Sequence, residues 1–255
     1  MYLYTNAIFS SSGAVIPFSN DYSFEYDGSL DYINADSSSS SVSSDNEGTI
    51  SLWVKPDDIT SSQTIVCLSA STLASQYLYL GLNSSYGFFV GMRTTSSSSS
   101  GFFVHADVNP FSVGTWTHLA IVQDGVSPQL YVNGVAVAQT FLVSTNDQKW
   151  LNDMLSFNSI NIGRFFTSIY NQNYFDGKVD EFSYFSSALS STDISNIYGL
   201  GVPTSISSLN PVIHLRAEGS TFNGSNWDVS NEGSGGNNAT SVSMNLASRS
   251  TDVPT

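Results

Sequence analysis

The side chains in this 255-residue chain that could carry out bond chemistry are few and scattered. Hydrolysis of a glycosidic bond needs two carboxyl groups at a fixed separation, one to protonate the leaving oxygen and one to attack or to activate water. Asp180 and Glu181 are adjacent in the sequence. On a strand, neighbouring side chains leave opposite faces, so the two are not expected to act together. Asp176 and Asp180 have the right parity, but Gly177 between them leaves their register open. His105, His118 and His214 lie far apart and lack the spacing of zinc ligands. No G-x-S-x-G elbow, phosphate-binding loop or dinucleotide fingerprint is present. The one cysteine, Cys67 in TIVCLS, cannot form an intrachain disulfide and reads as a small buried apolar residue. These features predict a protein that is not an enzyme.

Recognition chemistry is better represented. Tyr170, Asn171, Asn173 and Tyr174 stand together in the loop 165–175, where the chain must turn between two strand-like runs. Aromatic rings stack on sugar faces and amides read hydroxyl groups, so these four residues are the candidate glycan-binding loop. Trp53 alternates against Ile50, Leu52 and Val54, which turns it away from the main core: it is expected to be covered by the second sheet or a loop, with a glycan-stacking platform as the other reading.

The elements that must position these groups read as strands. The segment 114–138, GTWTHLAIVQDGVSPQLYVNGVAVA, puts Trp116, His118, Ala120 and Val122 on one face and Thr117, Leu119 and Ile121 on the other. Asn133-Gly134 then joins two apolar runs, which predicts a type I′ hairpin turn. Short aromatic or β-branched runs near 22–26, 30–33, 49–55, 64–69, 76–82, 86–93, 101–108, 160–164 and 179–185 predict further strands, separated by turn residues. Ser190-Ser-Thr-Asp193 reads as a helix cap opening a two-turn helix over 191–198, stopped by Gly199. The serine-rich run 35–46 is expected to be a surface loop, and 141–158, with Trp150, a long connection.

Three of these stretches carry a resemblance to a known family. W-x-H-x-A followed by LYVNG at 116–134, SFEYDGSLDY at 23–32, and FDGKVDEFSY at 175–184 are similar to the laminin-G-like, concanavalin A-like jelly roll over residues 21–199. The resemblance implies an all-β, two-sheet antiparallel jelly-roll sandwich with one short helix near 191–198. Composition sets its flanks: an arm over 1–20, the jelly roll over 21–200, and a C-terminal linker and extension over 201–255 with too few apolar residues for a core of its own. Calcium is the cofactor implied, with Asp27, Asp31 and Asp176 at the matching positions, since this ion takes carboxylate and carbonyl oxygen. The acid motif Glu-x-Asp-x-x-Glu of hydrolases with this fold is missing.

The tail, from LNPVIHLR to MNLASRSTDVP, resembles that of structural proteins of marine tailed phages. The expected function is therefore a non-enzymatic virion component, a capsid decoration or fibre protein at the particle surface. Its expected partners are other virion proteins, copies of itself and cell-surface glycans. The alternative is a carbohydrate-binding adhesion module of an extracellular protein, with a glycoside hydrolase as a remote third reading. Seven Lys plus Arg against 21 Asp plus Glu give a net charge of −14, which repels nucleic acid. No window approaches the ~18 apolar residues of a membrane span, and residues 1–20 hold no basic start of a signal peptide.

Overall fold

The computed structural model describes residues 7–9, 15–97, 100–144 and 147–255. Twenty-one strands and one α-helix follow in chain order. The first strands are β1 (Ala7–Phe9), β2 (Val15–Pro17), β3 (Ser23–Asp27), β4 (Tyr32–Asn34), β5 (Gly48–Pro56), β6 (Gln63–Ser69) and β7 (Tyr77–Asn83). Next come β8 (Gly87–Arg93), β9 (Phe102–Ala106), β10 (Thr117–Gln123), β11 (Pro128–Val132), β12 (Val135–Ala136), β13 (Gln139–Val143) and β14 (Ser159–Ile162). The chain ends with β15 (Phe165–Phe166), β16 (Asn171–Gln172), β17 (Asp176–Phe185), α1 (Ser191–Tyr198), β18 (Ile213–Phe222), β19 (Trp227–Asn231), β20 (Ala239–Val242) and β21 (Arg249–Ser250).

The first sheet runs β12-β11-β10-β5-β17 and then forks. The leading half of β17 pairs with β3, which β21 flanks, and the trailing half pairs with β18. The second sheet runs β14-β6-β7-β8-β9-β13. Every described pairing is antiparallel, as the alternation of apolar and polar residues predicts. Ile50, Leu52 and Val54 of β5 share one core with Leu78, Leu80 and Leu82 of β7 and Phe88, Val90 and Met92 of β8. The Asn133-Gly134 turn has positive φ at both residues, 48° and 77°, the backbone of the expected type I′ hairpin.

Helix α1 lies on the outer side of the first sheet. Ser190 Oγ accepts from Asp193 N, the Asp193 carboxylate accepts from Ser190 N, and Gly199 ends the helix at φ 59°. Its Ile194 and Ile197 form a second apolar cluster with Ala120, Val122 and Phe185. Trp53 is accordingly buried under this layer, its ring stacked on Tyr198 at 5.5 Å.

Three expectations change. The run 35–46 is not a free surface loop: Asp36–Ser41 forms a 3-10 helix, Ala35 and Val42 enter the core, and Ser37 and Ser38 donate to the carbonyls of Asn238 and Asn237. Hydroxyls can be buried where backbone carbonyls meet them, which composition does not reveal. The expected connection 141–158 is shortened at its start by β13, and its Trp150 is fully buried, with Nε1–H donating to Tyr184 Oη at 2.9 Å. Residues 213–250, part of the expected extension without a core of its own, carry β18 to β21. Strands β18-β19-β20-β4 continue the hydrogen bonding from β17 round to β14 and join the two sheets along one side. They have no core of their own, as their sparse apolar content implied. Instead Ile213, Leu215, Trp227, Val229 and Met244 complete the main one.

The expected N-terminal arm lies largely outside the described residues; β1 and β2 pair with each other within it. Among the described residues no helix is long and apolar enough to cross a membrane.

Candidate functional site: an aromatic face on the second sheet

Strand alternation sends Leu78, Leu80, Phe88, Val90, Phe102 and Val104 into the core and their neighbours outward. The outward residues are aromatic or glycine. In register across β7, β8 and β9 stand Tyr79, Gly91 and Phe103; one step along the strands, Tyr77 faces Arg93. Gly81 faces Phe89 in the same ladder. These glycines are what lets the rings lie flat. A Cβ at 91 would overlap the Tyr79 ring, and a Cβ at 81 would sit 2.6 Å from Phe89 Cζ.

The rings touch in series. Tyr170 meets Phe165 at 6.1 Å between centroids, and Phe165 meets Tyr77 and Tyr79 at 5.1 and 5.2 Å. Tyr79 meets Phe89 at 5.6 Å, Phe89 meets Phe103 at 5.3 Å, Tyr86 meets Phe103 at 5.4 Å, and His105 closes the series against Tyr86 at 5.1 Å. Mostly edge-to-face, these contacts hold the rings in fixed orientations. Tyr77, Tyr79, Tyr86, Phe103 and His105 remain half-buried and so present part of each ring outward. Burial, with the neighbouring Tyr77 hydroxyl, pushes the Tyr79 phenol well above its ordinary pKa, so it stays a neutral hydrogen-bonding group.

Two depressions adjoin along this face. One of about 320 Å³ lies between Tyr86, Phe103 and Leu142; the other, of about 300 Å³, lies between Phe165, Tyr170 and Asn173. Tyr77, Tyr79 and Arg93 border both, so together they form one interrupted groove. Tyr170 and Asn173 of the expected recognition loop line its second half. Asn171 and Tyr174 do not appear in the lining: Asn171 Oδ1 accepts from Arg164 Nη1 at 3.0 Å and from Tyr174 Oη at 2.8 Å, which fixes the loop. Two of the four expected loop residues thus border the groove. Tyr77, Tyr79 and Phe103, which also line it, were not among them; their signal was an aromatic at every second position of consecutive strands.

The expected calcium residues stand at the β3–β4 corner and on the facing start of β17. Asp27 Oδ1 accepts from the backbone N–H groups of Ser29, Leu30 and Asp31, an Asx turn that closes the β3–β4 corner. Burial of this carboxylate is outweighed by those bonds, which hold its pKa down at about 2. Asp31 is raised to about 6 by burial and by Asp27. Asp176 stands opposite Asp27 in the ladder, raised by burial and by surrounding carboxylates. Among the described residues, one trio of possible ligands brings its oxygens within 4.8 Å of one another, and it is a different one: Asp180, Glu181 and Glu218.

That trio corrects the expectation that Asp180 and Glu181 diverge. Glu181 has φ 52° in a β-bulge, where three steps of β17 oppose two of β5. Val179 and Phe182 therefore both face the core, although strict alternation would separate them. The carboxylates are buried and occupied. Glu181 receives His214 Nε2 and Arg216 Nε, each at 2.6 Å, while Arg216 also reaches Glu218 at 3.4 Å and Glu232 at 3.3 Å. Burial pushes Glu181 up, but His214 and Arg216 outweigh it and hold its pKa low. Asp180, without a cation, is raised by burial and by Glu181. Asn20 Nδ2 donates to Asp180, and Asp21 and Tyr22 donate backbone N–H groups to Glu218, so the cluster anchors the chain entering β3.

Residues 27–195 match the concanavalin A-like lectin/glucanases superfamily. The chain belongs to that superfamily. A comparison with curated proteins gives no match. Among solved structures, the Ruminococcus gnavus IT-sialidase CBM40 bound to α2,3-sialyllactose is 15% identical over 69% of this chain and 96% of its own, with a TM-score of 0.59. A Bacteroides ovatus protein solved as a candidate carbohydrate-binding protein is 15% identical, with a TM-score of 0.66, over 96% of this chain and 66% of its own. The SAP-like pentraxin of Limulus polyphemus is 13% identical over 70% of this chain and 82% of its own, at a TM-score of 0.51. At these identities the likeness is one of fold.

Proposed function

We propose that the chain is a non-catalytic carbohydrate-binding module that takes a glycan along the aromatic groove of the second sheet. The observation that carries this reading is the series of touching rings, with Tyr77, Tyr79, Tyr86, Phe103 and Tyr170 partly exposed, bordering two adjoining depressions of sugar-binding size. The R. gnavus neighbour, a carbohydrate-binding module with a bound sialyllactose, supports it. Catalysis is disfavoured because no Asp or Glu lines the groove, and the carboxylates that do converge are buried and bridged by Arg216. The support favours the carbohydrate-binding alternative drawn from the sequence over the virion component.

The test is a broad glycan array followed by titration of the best binder against two variants. Tyr170→Ala removes a ring that is 43% exposed, so the fold should persist while affinity falls about tenfold, the worth of one stacked ring. Gly91→Val forces Tyr79 off its seat and should lower affinity at least as far. Binding that survives both substitutions, or an array without a binder, sinks the proposal.

A further inference from the structure

Resting on that reading, we infer that the glycan carries a carboxylate and that Arg93 receives it. Arg93 is the one residue of formal charge bordering the groove, and it borders both halves. The rest of the lining is aromatic, aliphatic, amide or hydroxyl, in a chain whose 21 Asp and Glu outnumber its 7 Lys and Arg. Among the described residues the groove thus carries one formal charge, a guanidinium.

The other six cations are committed elsewhere. Lys55, Lys149, Lys178 and Arg216 each meet a carboxylate within 4.0 Å. Arg164 is buried between Tyr32 and Phe166, and Arg249 lies over Tyr22. Arg93 has no carboxylate partner among the described residues. It donates from Nη2 to the Ser96 carbonyl at 2.6 Å and approaches Tyr77 Oη from Nη1 at 3.4 Å, a weak contact; its Nε is buried without an acceptor. Two of five N–H groups are thus used among the described residues, which leaves further Nη hydrogens for a ligand. A planar carboxylate matches the guanidinium edge with two parallel bonds, while the neighbouring rings carry the sugar face. The chain's −14 charge repels anions at long range, so preference for an acidic sugar has to come from a local group of this kind.

The experiment uses the full chain and two matched pairs: an oligogalacturonide with its methyl ester, and sialyllactose with its methyl ester. Esterification removes the charge and keeps the ring, and the two pairs separate hexuronate from sialic acid as the source of the carboxylate. At least one free acid should bind ten times or more tighter than its ester, measured by calorimetry. In Arg93→Gln that ratio should collapse towards one, and in Arg93→Lys, which keeps the charge without the fork, it should fall between. Melting curves of both variants report whether the Ser96 tether was needed for folding; should Arg93→Gln unfold, the wild-type ratio and Arg93→Lys still decide. Esters that bind as well as their acids in both pairs overturn the inference and leave the carbohydrate reading standing. An acid preference that persists in Arg93→Gln overturns it too, while binding of no glycan at all removes both.

Discussion

His118 offers a clean measurement of how the first sheet is built. The ring is fully buried, Nε2 lies 2.8 Å from Ser51 Oγ, and no carboxylate faces it: Trp53 and Tyr198 pack against it and Nδ1 has no partner. Burial drives its pKa from 6.5 down to about 3, so the folded protein keeps it neutral wherever the unfolded chain takes up a proton. Between pH 6.5 and 3 the unfolded state binds the extra proton, so stability from this residue is fully present above 6.5 and is lost as the pH falls. The slope is about 1.36 kcal/mol per pH unit. From pH 7.5 to 4.5 the loss is about 2.7 kcal/mol. Other groups titrate in the same range with the opposite sign, Asp31 among them, because burial and Asp27 raise it to about 6. The assay is therefore a difference: urea unfolding of the wild type and His118→Gln at both pH values. Glutamine does not titrate, so the wild type's advantage over the variant should shrink by about 2.7 kcal/mol at pH 4.5. A pH-independent difference would show that His118 is solvated or already charged in the fold, and the burial argument would fail.

Truncation after residue 200 should abolish cooperative unfolding by circular dichroism. Ile213, Leu215, Trp227, Val229 and Met244 each bury an apolar side chain worth about 1.5–3 kcal/mol, and five of these match the whole stability of a typical domain. Arg216→Met should cost about 3–5 kcal/mol in urea unfolding, because Glu181 and Glu218 would stay buried without their cation; a loss under about 1 kcal/mol would mean water reaches the cluster. Calcium, or a chelator, should leave the melting temperature unchanged, since Asp27 spends its oxygens on its own turn; a calcium-dependent rise would restore the metal reading.

Much of the fold was legible because alternation survives from sequence to sheet. Leu119 and Ile121 enter the main core and Ala120 and Val122 the second cluster, the two faces that their parity assigns. Helix α1 was legible from its cap and its glycine stop. Alternation failed at Asp180 and Glu181, where one extra residue in β17 turns a predicted divergence into a buried cluster. A bulge of this kind leaves no mark in the order of residue types. The C-terminal strands failed for another reason: a segment too poor in apolar residues for its own core can still complete a neighbour's, and only the pairing of β20 with β4 reveals which.

The candidate site was half legible for a reason that lies in the pairing of strands. Tyr77, Tyr79, Phe89 and Phe103 each stand in a run whose aromatic content serves equally well as a strand signal. Their meaning depends on what faces them across the ladder, and the glycine opposite Tyr79 and the glycine opposite Phe89 become informative only once β7 and β8 are in register. Position then decides function. On the first sheet an outward aromatic, Trp53, is sealed beneath α1 and stabilises the fold. On the second sheet Tyr77, Tyr79, Tyr86 and Phe103 stay half-exposed around two depressions. Exposed apolar rings cost hydration free energy in the unbound protein. In a chain that otherwise coats itself in serine and carboxylate, a face left in that state fits a surface kept for contact with a ligand.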